Sequence, residues 1–378
     1  MKTMLIFCSH YFPHIGGIEK FTHNLSKYLN KKDVKITIIT NNTENCEEYI
    51  IENNIEIYRL DSFNLLNGRF PIPKFNKKFK KIFNILKNRK FDFCLIQARF
   101  YILTLLGCIF AKRNNIKYLV LEHGTGHFTV NNIFFDFLGH IYEHIISFLV
   151  KLNCNNFAGV SKNCCIWLKH FNIYTEDVIY NGVDTIYIYS IIENSNYKLD
   201  KKEKVIISFA SRLVVEKGII KLIEAFKLLI NEFPNILLYI AGYGKLEDYI
   251  KSESALENRI IFLGKLLPEE IYNLFNQSDI FVYPSYYPEG FPTVVLEAAY
   301  LKNLVIASDR GGTQELIINE DYGIILKENS VDEIYSNLKY FIQNISLRDI
   351  VSENISQRVS NFFSWDIISD NFINKYLN

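Results

Sequence analysis

Short apolar runs of strand-like composition alternate along this chain with longer stretches of helical composition. In the first half these runs cover residues 5–8, 34–39, 55–58, 91–96, 118–121 and 157–160, and in the second half residues 205–210, 237–241, 260–264, 279–283 and 304–307. Strands that are separated by helices predict parallel sheets with right-handed crossovers. Such sheets bind ligands outside the carboxyl ends of their strands. The loops that follow the runs are therefore where we expect a site.

The size and composition of the chain indicate a folded protein with room for two domains. At 378 residues it can bury two cores, and its 49% apolar and 22% charged content is typical of soluble globular chains. Residues 1–190 carry 23 Lys and Arg against 15 Asp and Glu, whereas the remainder carries 19 against 26. The first half is therefore the part expected to face an anionic partner.

Neither export nor membrane insertion is predicted from the sequence. The N-terminal apolar run is too short for a signal peptide and is predicted to be a buried strand. No stretch reaches the uninterrupted apolar length of a membrane span. The seven cysteines are scattered and contain no Cys-x-x-Cys pair, which favours reduced thiols in the cytoplasm.

Two carboxylates follow the run at residues 279–283. Glu289 lies in a loop, and Glu297 lies about one turn into a segment of helical composition that begins at Thr293. Carboxylates accept paired hydrogen bonds from the vicinal hydroxyls of a sugar or a ribose. Pro292 suits the first helical turn, where its missing N–H costs nothing, so the N–H groups beside it could face an anion. An ordinary surface loop before a helix is the alternative.

A second loop carries two cations after the run at residues 205–210. Arg212 and Lys217 precede another segment of helical composition. An arginine fork and a lysine point charge near a helix N-terminus suit a diphosphate. Taken alone, the pair could also be two solvated surface cations.

Two glycine-containing loops of the first half also follow predicted strands. Gly16 and Gly17 open a helical segment, and paired glycines let a backbone approach a ligand closely. Because this loop lacks the pattern Gly-x-Gly-x-x-Gly, a nicotinamide enzyme is disfavoured. His123 follows the run at residues 118–121 and can be set against a substrate, with Glu122 and Thr125 as supports. A simple turn and a capping or core histidine are the alternatives.

Together, these motifs resemble those of the retaining glycosyltransferases of family 4, which have the two-domain GT-B fold. Ser211 stands where that family usually has glycine, a departure that could restrict the backbone of the Arg212 loop. The resemblance covers nearly the whole chain. It implies an α/β protein with two Rossmann-like, doubly wound domains that face each other across a cleft.

The resemblance also implies roles for individual residues. The catalytic residues that it implies are His123, Glu289, Arg212 and Lys217. The donor-binding residues that it implies are Gly16, Gly17, Arg212, Lys217, Glu289, Gly290, Phe291, Pro292, Thr293 and Glu297. In this assignment Glu289 contacts the donor sugar, Glu297 holds the ribose, and Arg212 and Lys217 neutralise the β-phosphate as the glycosidic bond breaks. No metal and no cofactor are implied, because cations and a helix end stabilise the diphosphate.

The implied activity is hexosyl transfer, with retention of configuration, from a UDP- or GDP-sugar to a glycan or lipid-linked acceptor. The expected setting is cell-surface polysaccharide, lipopolysaccharide or glycolipid synthesis in a bacterium, without a nucleic-acid partner. A nucleotide-sugar epimerase of the same fold, a catalytically silent binding subunit and a lipid-surface scaffold remain as alternatives. The intact set of Arg, Lys and Glu disfavours the last two.

The same resemblance implies the domain bounds. Residues 1–188 are expected to form the acceptor-side domain, residues 189–203 a linker, and residues 204–362 the nucleotide-sugar domain. A helix over residues 363–378 is expected to cross back to the first domain.

A basic amphipathic helix is predicted over the stretch that begins at Lys74 and ends at Lys90. Apolar residues recur there at helical spacing, and cations fill many other positions without any acidic residue. The helix either packs its apolar stripe on the sheet or attaches the chain to anionic lipid headgroups. In the second case the cytoplasmic protein would lie on the inner face of the cytoplasmic membrane.

His140 and His144 flank Glu143 with the spacing of inverted zinc peptidases. Two histidines four residues apart share a helix face. No downstream ligand is evident, however, and the surrounding segment has the composition of an aromatic-rich packing helix. The sequence therefore predicts no metal site here.

Overall fold

The computed structural model describes residues 1–129, 132–197, 199 and 204–378. These residues divide into two units, each built on a mainly parallel sheet. The first unit comprises Met1–Asn181 and Trp365–Asn378, and the second comprises Gly182–Ser364.

The first unit contains a sheet that is parallel except at one edge. Its strands in chain order are β1 (Lys2–Phe7), β2 (Val34–Asn41), β3 (Tyr49–Glu52), β4 (Ile55–Leu60), β5 (Ser62–Leu65), β6 (Phe70–Pro73), β7 (Phe93–Gln97), β8 (Lys117–Glu122) and β9 (Phe157–Gly159). The described part of the sheet has the order β3-β4-β2-β1-β7-β8-β9, and β3 alone pairs antiparallel in it. The predicted parallel sheet is thus confirmed, whereas β3 and the separate antiparallel β5–β6 hairpin were not predicted.

Helices cover this sheet and supply the rest of the first core. They are α1 (Gly17–Lys31), α2 (Lys77–Lys87), α3 (Ile102–Arg113), α4 (Ile133–Asn153) and α5 (Lys162–Leu168), followed by a 3₁₀ turn at Lys169–Phe171. The strands read as nearly continuous apolar runs because both faces of a parallel sheet are covered. Leu5, Ile96 and Val120 are fully buried in this core, for example.

The second unit contains a parallel sheet of order β12-β11-β10-β13-β14-β15 in its described residues. Its strands are β10 (Val205–Ala210), β11 (Ile236–Ala241), β12 (Ile260–Gly264), β13 (Ile280–Tyr283), β14 (Leu304–Ser308) and β15 (Ile324–Leu326). Its helices are α6 (Thr185–Glu193), α7 (Ile219–Leu229), α8 (Glu247–Leu256), α9 (Pro268–Gln277), α10 (Thr293–Tyr300), α11 (Thr313–Leu316), α12 (Val331–Gln343) and α13 (Ile345–Phe362). The adjacency of β10 and β13 brings the loops after these two strands to the same edge of the sheet.

The C-terminal residues return to the first unit. Helix α14 (Trp365–Phe372) buries Trp365 against Phe21 of α1, with ring centroids 5.2 Å apart. Lys32 adds ion pairs to Asp366 at 3.0 Å and to Asp370 at 2.6 Å. This packing places α14 on α1, within the unit that also holds β1.

The boundary between the two units differs from the expected domain bounds. The second unit begins at Gly182, so α6 belongs to it, although residues 185–188 were assigned to the first domain and residues 189–193 to the linker. Asp184 caps α6 through its side chain, which accepts from the backbone N–H of Tyr187 at 3.0 Å. Residues 198 and 200–203 of the expected linker lie outside the described residues.

The basic helix α2 is shorter than predicted and packs on the sheet. Ile82 and Leu86 are buried in the first core, and Phe79 and Phe83 pack against it. Lys78 pairs with Asp61 at 2.9 Å and with Glu48 at 3.4 Å, which holds that cation against the unit. The apolar stripe of α2 thus packs on the sheet, which was one of the two alternatives that the sequence left open.

Helix α4 exposes a long apolar face. Its exposed large side chains are Ile133, Phe134, Phe135, Phe137, Leu138, Ile141, Ile145, Phe148 and Leu152. Among the described residues it is the one helix whose length and composition would suffice to cross a membrane. Only 22% of its most apolar 18-residue stretch is buried in the protein. Asp136 and Glu143 interrupt this helix, so α4 passes by length and mean hydropathy although it is not an uninterrupted apolar stretch, which is what the sequence analysis excluded. Its opposite side packs on the unit through Ile146 and Val150.

Candidate functional site

A buried lysine lies in the loop after β10. The backbone forms a 3₁₀ turn at Val215–Lys217 and then enters α7 through Gly218, whose φ is +75°. A Cβ at Gly218 would collide with the carbonyl oxygen of Pro284, so only glycine fits this approach of the two loops. The turn places the Lys217 side chain in the second unit with 5% of its surface exposed.

Lys217 is held by two side chains from β13 and the loop after it. Its ammonium group forms an ion pair with the Glu289 carboxylate and donates to the Tyr283 hydroxyl at 2.8 Å. The same hydroxyl donates to Glu289 Oε1 at 2.8 Å, which closes a triangle of polar groups. Burial lowers the pKa of Lys217, and the Glu289 carboxylate opposes that shift. The triangle thus keeps a charged pair in a largely dry position.

Arg212 lies at the exposed side of this cluster. Its guanidinium carbon is 5.4 Å from the centroid of the Tyr287 ring, and Lys217 Nζ is 5.1 Å from the same ring. The predicted cation pair is therefore brought together around one aromatic face. A diphosphate can meet an exposed arginine fork and a buried lysine there.

The loop from Glu289 to Thr293 is held in place by a second tight approach. At Gly311, where φ is +56°, a Cβ would lie 2.7 Å from the Glu289 carbonyl oxygen and closer still to that of Gly290. Phe291 is buried and packs edge-on against Phe363 at 5.4 Å. The position of Glu289 is thus fixed from both sides.

The helix that carries Glu297 begins one residue later than Pro292. Pro292 is the N-cap of α10, not part of its first turn, and Thr293 is the first helical residue. Glu297 is half-buried, and burial and then the Glu297 charge raise the pKa of Tyr272 on α9. The two carboxylates expected to act together therefore sit at the start of one helix and in the loop before it, as predicted.

His123 lies in the first unit, where the backbone leaves β8. Its Nε2–H donates to Gln97 Oε1 at 2.6 Å, and its ring meets the edge of Phe21 at 5.0 Å. Glu122 accepts from the backbone N–H groups of His123 at 3.0 Å and Gly124 at 2.9 Å. Burial lowers the pKa of His123 to about 4. The imidazole is therefore neutral at pH 7, with its proton on Nε2 and its Nδ1 able to accept.

Gly16 and Gly17 mark the start of α1 in the same unit. Gly16 is the N-cap, and a Cβ there would meet the side chain of Glu19, whereas a Cβ at Gly17 would have no neighbour within 4 Å among the described residues. Glu19 is buried, and burial raises the pKa of its carboxyl. A side chain at Gly16 would therefore have to displace the Glu19 carboxylate, whereas one at Gly17 would displace nothing among the described residues.

A buried arginine behind His123 was not predicted. Arg99 is 1% exposed and joins two carboxylates, Glu122 at 2.6 Å and Glu143 at 2.7 Å. It also lies 3.9 Å from the Phe171 ring. Arg99 therefore ties the end of β8, and with it the His123 loop, to α4.

The structure also brings histidines together that are distant in sequence. His170, in the 3₁₀ turn after α5, and His127, after the His123 loop, both lie beside His144. A downstream imidazole does accompany the His140–His144 motif, contrary to the expectation. His140 itself stacks on His127, with ring centroids 4.1 Å apart.

Comparison with known proteins covers both units. The model of the group 1 glycosyl transferases matches residues 191–358, and that of glycosyltransferase family 4 matches residues 15–187. An uncharacterized glycosyltransferase of Methanocaldococcus jannaschii is 31% identical over 372 residues, which are 96% of this chain and 95% of the relative. The UDP-Gal:alpha-D-GlcNAc-diphosphoundecaprenol alpha-1,3-galactosyltransferase of Escherichia coli is 23% identical and covers 97% of this chain and 96% of its own. The crystal structure of Anabaena HepE in complex with UDP superposes with a TM-score of 0.74 at 17% identity, covering 99% of each chain.

Proposed function

This chain belongs to glycosyltransferase family 4, within the group 1 glycosyl transferases, and we propose that it transfers a hexose from a UDP- or GDP-sugar to a lipid-linked or glycan acceptor. It is a glycosyltransferase with the GT-B fold, as the resemblance implied. The observation that carries the proposal for the donor is the Lys217–Glu289 pair beside Arg212.

The donor diphosphate is proposed to bind Arg212 and Lys217. A buried ammonium whose pKa is lowered by desolvation gains most from a ligand that brings negative charge, because its present partner is a single carboxylate. When the diphosphate binds Lys217, Glu289 becomes available to accept hydrogen bonds from sugar hydroxyls. Glu297, which lies about one turn into α10, is proposed to hold the ribose. The HepE complex with UDP supports the nucleotide class.

Catalysis is proposed to rest on charge stabilisation at the leaving diphosphate. Negative charge grows on the β-phosphate as the glycosidic bond breaks, and Arg212 and Lys217 are cations that could stabilise it. We propose retention of configuration through front-face attack by the acceptor, from the family resemblance alone. Metal independence is likewise proposed, since two cations and the start of α10 supply positive potential in place of a divalent ion.

His123 is proposed to orient the transferred sugar. Because its imidazole is neutral at pH 7, it is suited to hydrogen bonding and unsuited to donating a proton as an acid. Gln97 fixes the tautomer, which leaves Nδ1 as the acceptor for a sugar hydroxyl. Gly16 and Gly17 are proposed to let the backbone approach the donor.

A lipid-linked acceptor and a place on the inner face of the cytoplasmic membrane are proposed from the first unit. The name of the Escherichia coli relative specifies a diphosphoundecaprenol acceptor. The apolar face of α4 lies next to a groove of about 220 Å³ lined by aromatic side chains that include Phe70, Phe100 and Phe128. The nine large apolar side chains that α4 exposes form a contiguous patch of the kind that marks an interaction surface, and lipid suits it. The proposed membrane surface thus moves from α2 to α4.

The decisive experiment measures nucleotide release from UDP-, GDP- and ADP-sugars, with and without bacterial lipid extract, in EDTA. Wild type should consume one donor only when lipid is added, and Glu297→Ala should lose that activity. Glu224→Ala, on the exposed side of α7, is the matched control and should keep it. Release of free sugar without acceptor would point to the epimerase, and donor binding without turnover to the silent subunit.

A further inference from the structure

Three imidazoles from separate elements of the first unit converge near the surface. His127 follows the His123 loop, His144 is on α4, and His170 is in the 3₁₀ turn at Lys169–Phe171. One ring nitrogen from each lies within 4.8 Å of the other two. His144 and His170 are exposed, so an ion from solvent can reach them. We propose that these three histidines bind a zinc ion, or a transition-metal ion of similar chemistry, outside the donor site.

The spacing of the first two ligands already fits a metal. His127 Nε2 and His170 Nε2 are 3.2 Å apart. Two nitrogens that each lie about 2.0–2.1 Å from a tetrahedral Zn²⁺ are separated by about 3.3–3.4 Å. His144 has to approach further; its side chain is exposed, and its ring lies 4.9 Å from those of His170 and Phe171. Binding therefore requires the His144 side chain to turn within these contacts.

The contact behind His127 sets its tautomer for metal binding. Its Nδ1–H donates to Glu143 Oε2 at 3.2 Å, because a carboxylate oxygen can only accept. Arg99 holds the same carboxylate at 2.7 Å, so its position is fixed by a buried ion pair. Nε2 is left with its lone pair toward His170. Histidine ligands of zinc commonly have such a carboxylate on their second nitrogen.

The plane of His170 is also fixed. Its ring stacks on Trp167 at 4.9 Å with an interplanar angle of 10°. Imidazole ligands favour Zn²⁺, Cu²⁺, Ni²⁺ or Co²⁺, whereas Mg²⁺ and Ca²⁺ prefer oxygen. Three protein nitrogens leave a fourth position for water. His140 is excluded from the set, because its ring stacks face-on against His127.

A bound ion would join three segments that otherwise meet through side-chain contacts. His127 lies four residues after His123, so the ion would tether the loop of the proposed sugar-orienting histidine to α4 and to the turn after α5. The site acts by positioning this loop and contributes no group to the transfer reaction. The donor site in the second unit keeps its own cations.

The test uses untagged full-length protein that has been stripped with a chelator and titrated with Zn²⁺ against a chromophoric competitor. Wild type should bind one Zn²⁺ per chain, and His170→Ala and His144→Ala should each weaken that site at least about tenfold. His140→Phe is the matched control: it keeps a ring that can stack on His127, removes only the nitrogens, and should bind as wild type does. Co²⁺ should give the visible absorption of a tetrahedral nitrogen site in wild type and not in His170→Ala.

Hydrogen exchange gives a second readout that does not depend on any variant. Zn²⁺ should slow exchange of residues 124–129 in wild type. The proposal is overturned if wild type binds no Zn²⁺ at one equivalent, or if His170→Ala binds it unchanged. The cluster would then be a hydrogen-bonded imidazole pair that belongs to an aromatic surface.

Discussion

Lys217 Nζ lies 2.8 Å from the hydroxyl oxygen of Tyr283, the last residue of β13. Tyr283 is 3% exposed and donates onward to Glu289, so its hydroxyl serves both members of the buried ion pair. Tyr283→Phe removes that hydroxyl and leaves the pair with one partner fewer. We expect the free energy of unfolding to fall by about 1–2 kcal/mol, measured by urea denaturation.

Tyr287→Phe is the matched control for this change. It keeps the ring that lies 5.1 Å from Lys217 Nζ and should alter the free energy of unfolding by less than about 0.5 kcal/mol. An equal loss in both variants would mean that the Tyr283 hydroxyl has no special part in holding Lys217.

Glu289→Gln tests whether Lys217 is poised for an anion. The variant leaves a buried cation without its carboxylate, and we expect a loss of about 2–3 kcal/mol in the free energy of unfolding, less than for a fully buried pair because Glu289 is 18% exposed. UDP supplies a diphosphate for the same cation. It should therefore raise the melting temperature of the variant by more than that of wild type.

Glu216→Gln removes a carboxylate next to Lys217 in sequence and serves as the control. Its charge also favours the protonated Lys217, but less than the Glu289 carboxylate does, and the described contacts hold no ion pair between the two residues. The loss of stability and the gain in the response to UDP should therefore both be smaller than in Glu289→Gln. Equal increases in the melting temperatures of wild type and Glu289→Gln on addition of UDP would mean that UDP does not bind to Lys217.

Much of the fold could be predicted because parallel strands bury both faces. Continuous apolar runs such as residues 205–210 therefore indicate buried strands directly. The sequence of the β5–β6 hairpin is misleading, since Pro71 and Pro73 argue against a strand in a sheet interior. They are tolerated because, among the described residues, β5 and β6 form a two-stranded sheet that pairs with no other strand. The exposure of α4 was also beyond prediction, because an apolar helix has the same composition whether it is buried or exposed.

The candidate site could be predicted only where its residues share a loop. Glu289 and Glu297 are close in sequence, and so are Arg212 and Lys217. Tyr283 meets Lys217 because β10 pairs with β13, a topological fact that no local pattern contains.

Other contacts depended on the packing of distant segments in the same way. Arg99 joins β8 to α4 through Glu122 and Glu143. His127 and His170 are in contact although they are 43 positions apart in the sequence. Contacts of this kind follow from which elements pack together and have no signature in the spacing of residues.

The lowered pKa of His123 predicts how stability depends on pH. Its pKa is about 4 in the native state, against about 6.5 for an exposed histidine. Between these pH values the unfolded state binds a proton that the native imidazole does not bind, so stability rises with pH across this window and is lost on acidification. From pH 6.5 to 4, wild type should lose roughly 2–3 kcal/mol more than His123→Asn, allowing for partial solvent exposure.

Urea denaturation at intervals between pH 4 and 8 measures this difference. Burial lowers the pKa of His127 to about 4 as well, but that residue is common to both proteins and cancels in the comparison. Parallel stability curves for wild type and His123→Asn would show that His123 titrates as an exposed histidine. Above pH 7 the two curves should have the same slope, because the imidazole is neutral in both states.

The proposed membrane surface on the apolar face of α4 can be tested by substitution. Phe134, Phe137 and Phe148 are 65%, 61% and 58% exposed, so replacing all three with serine should leave the fold intact. Burying a phenylalanine in an apolar phase contributes about 1.5–3 kcal/mol. Even with partial insertion, the triple variant should bind vesicles of phosphatidylglycerol and phosphatidylethanolamine at least about tenfold more weakly in a sedimentation assay.

The matched control changes the helix that the sequence favoured for this role. Lys77, Lys80 and Lys81 of α2 are exposed, and unlike Lys78 they have no ion pair among the described contacts. Their replacement by glutamate should weaken binding to the same vesicles modestly, and only at low salt, because such contacts are screened. If the α4 variant binds as wild type does while the α2 variant does not, the membrane surface is α2, and the apolar face of α4 must be covered by something other than lipid.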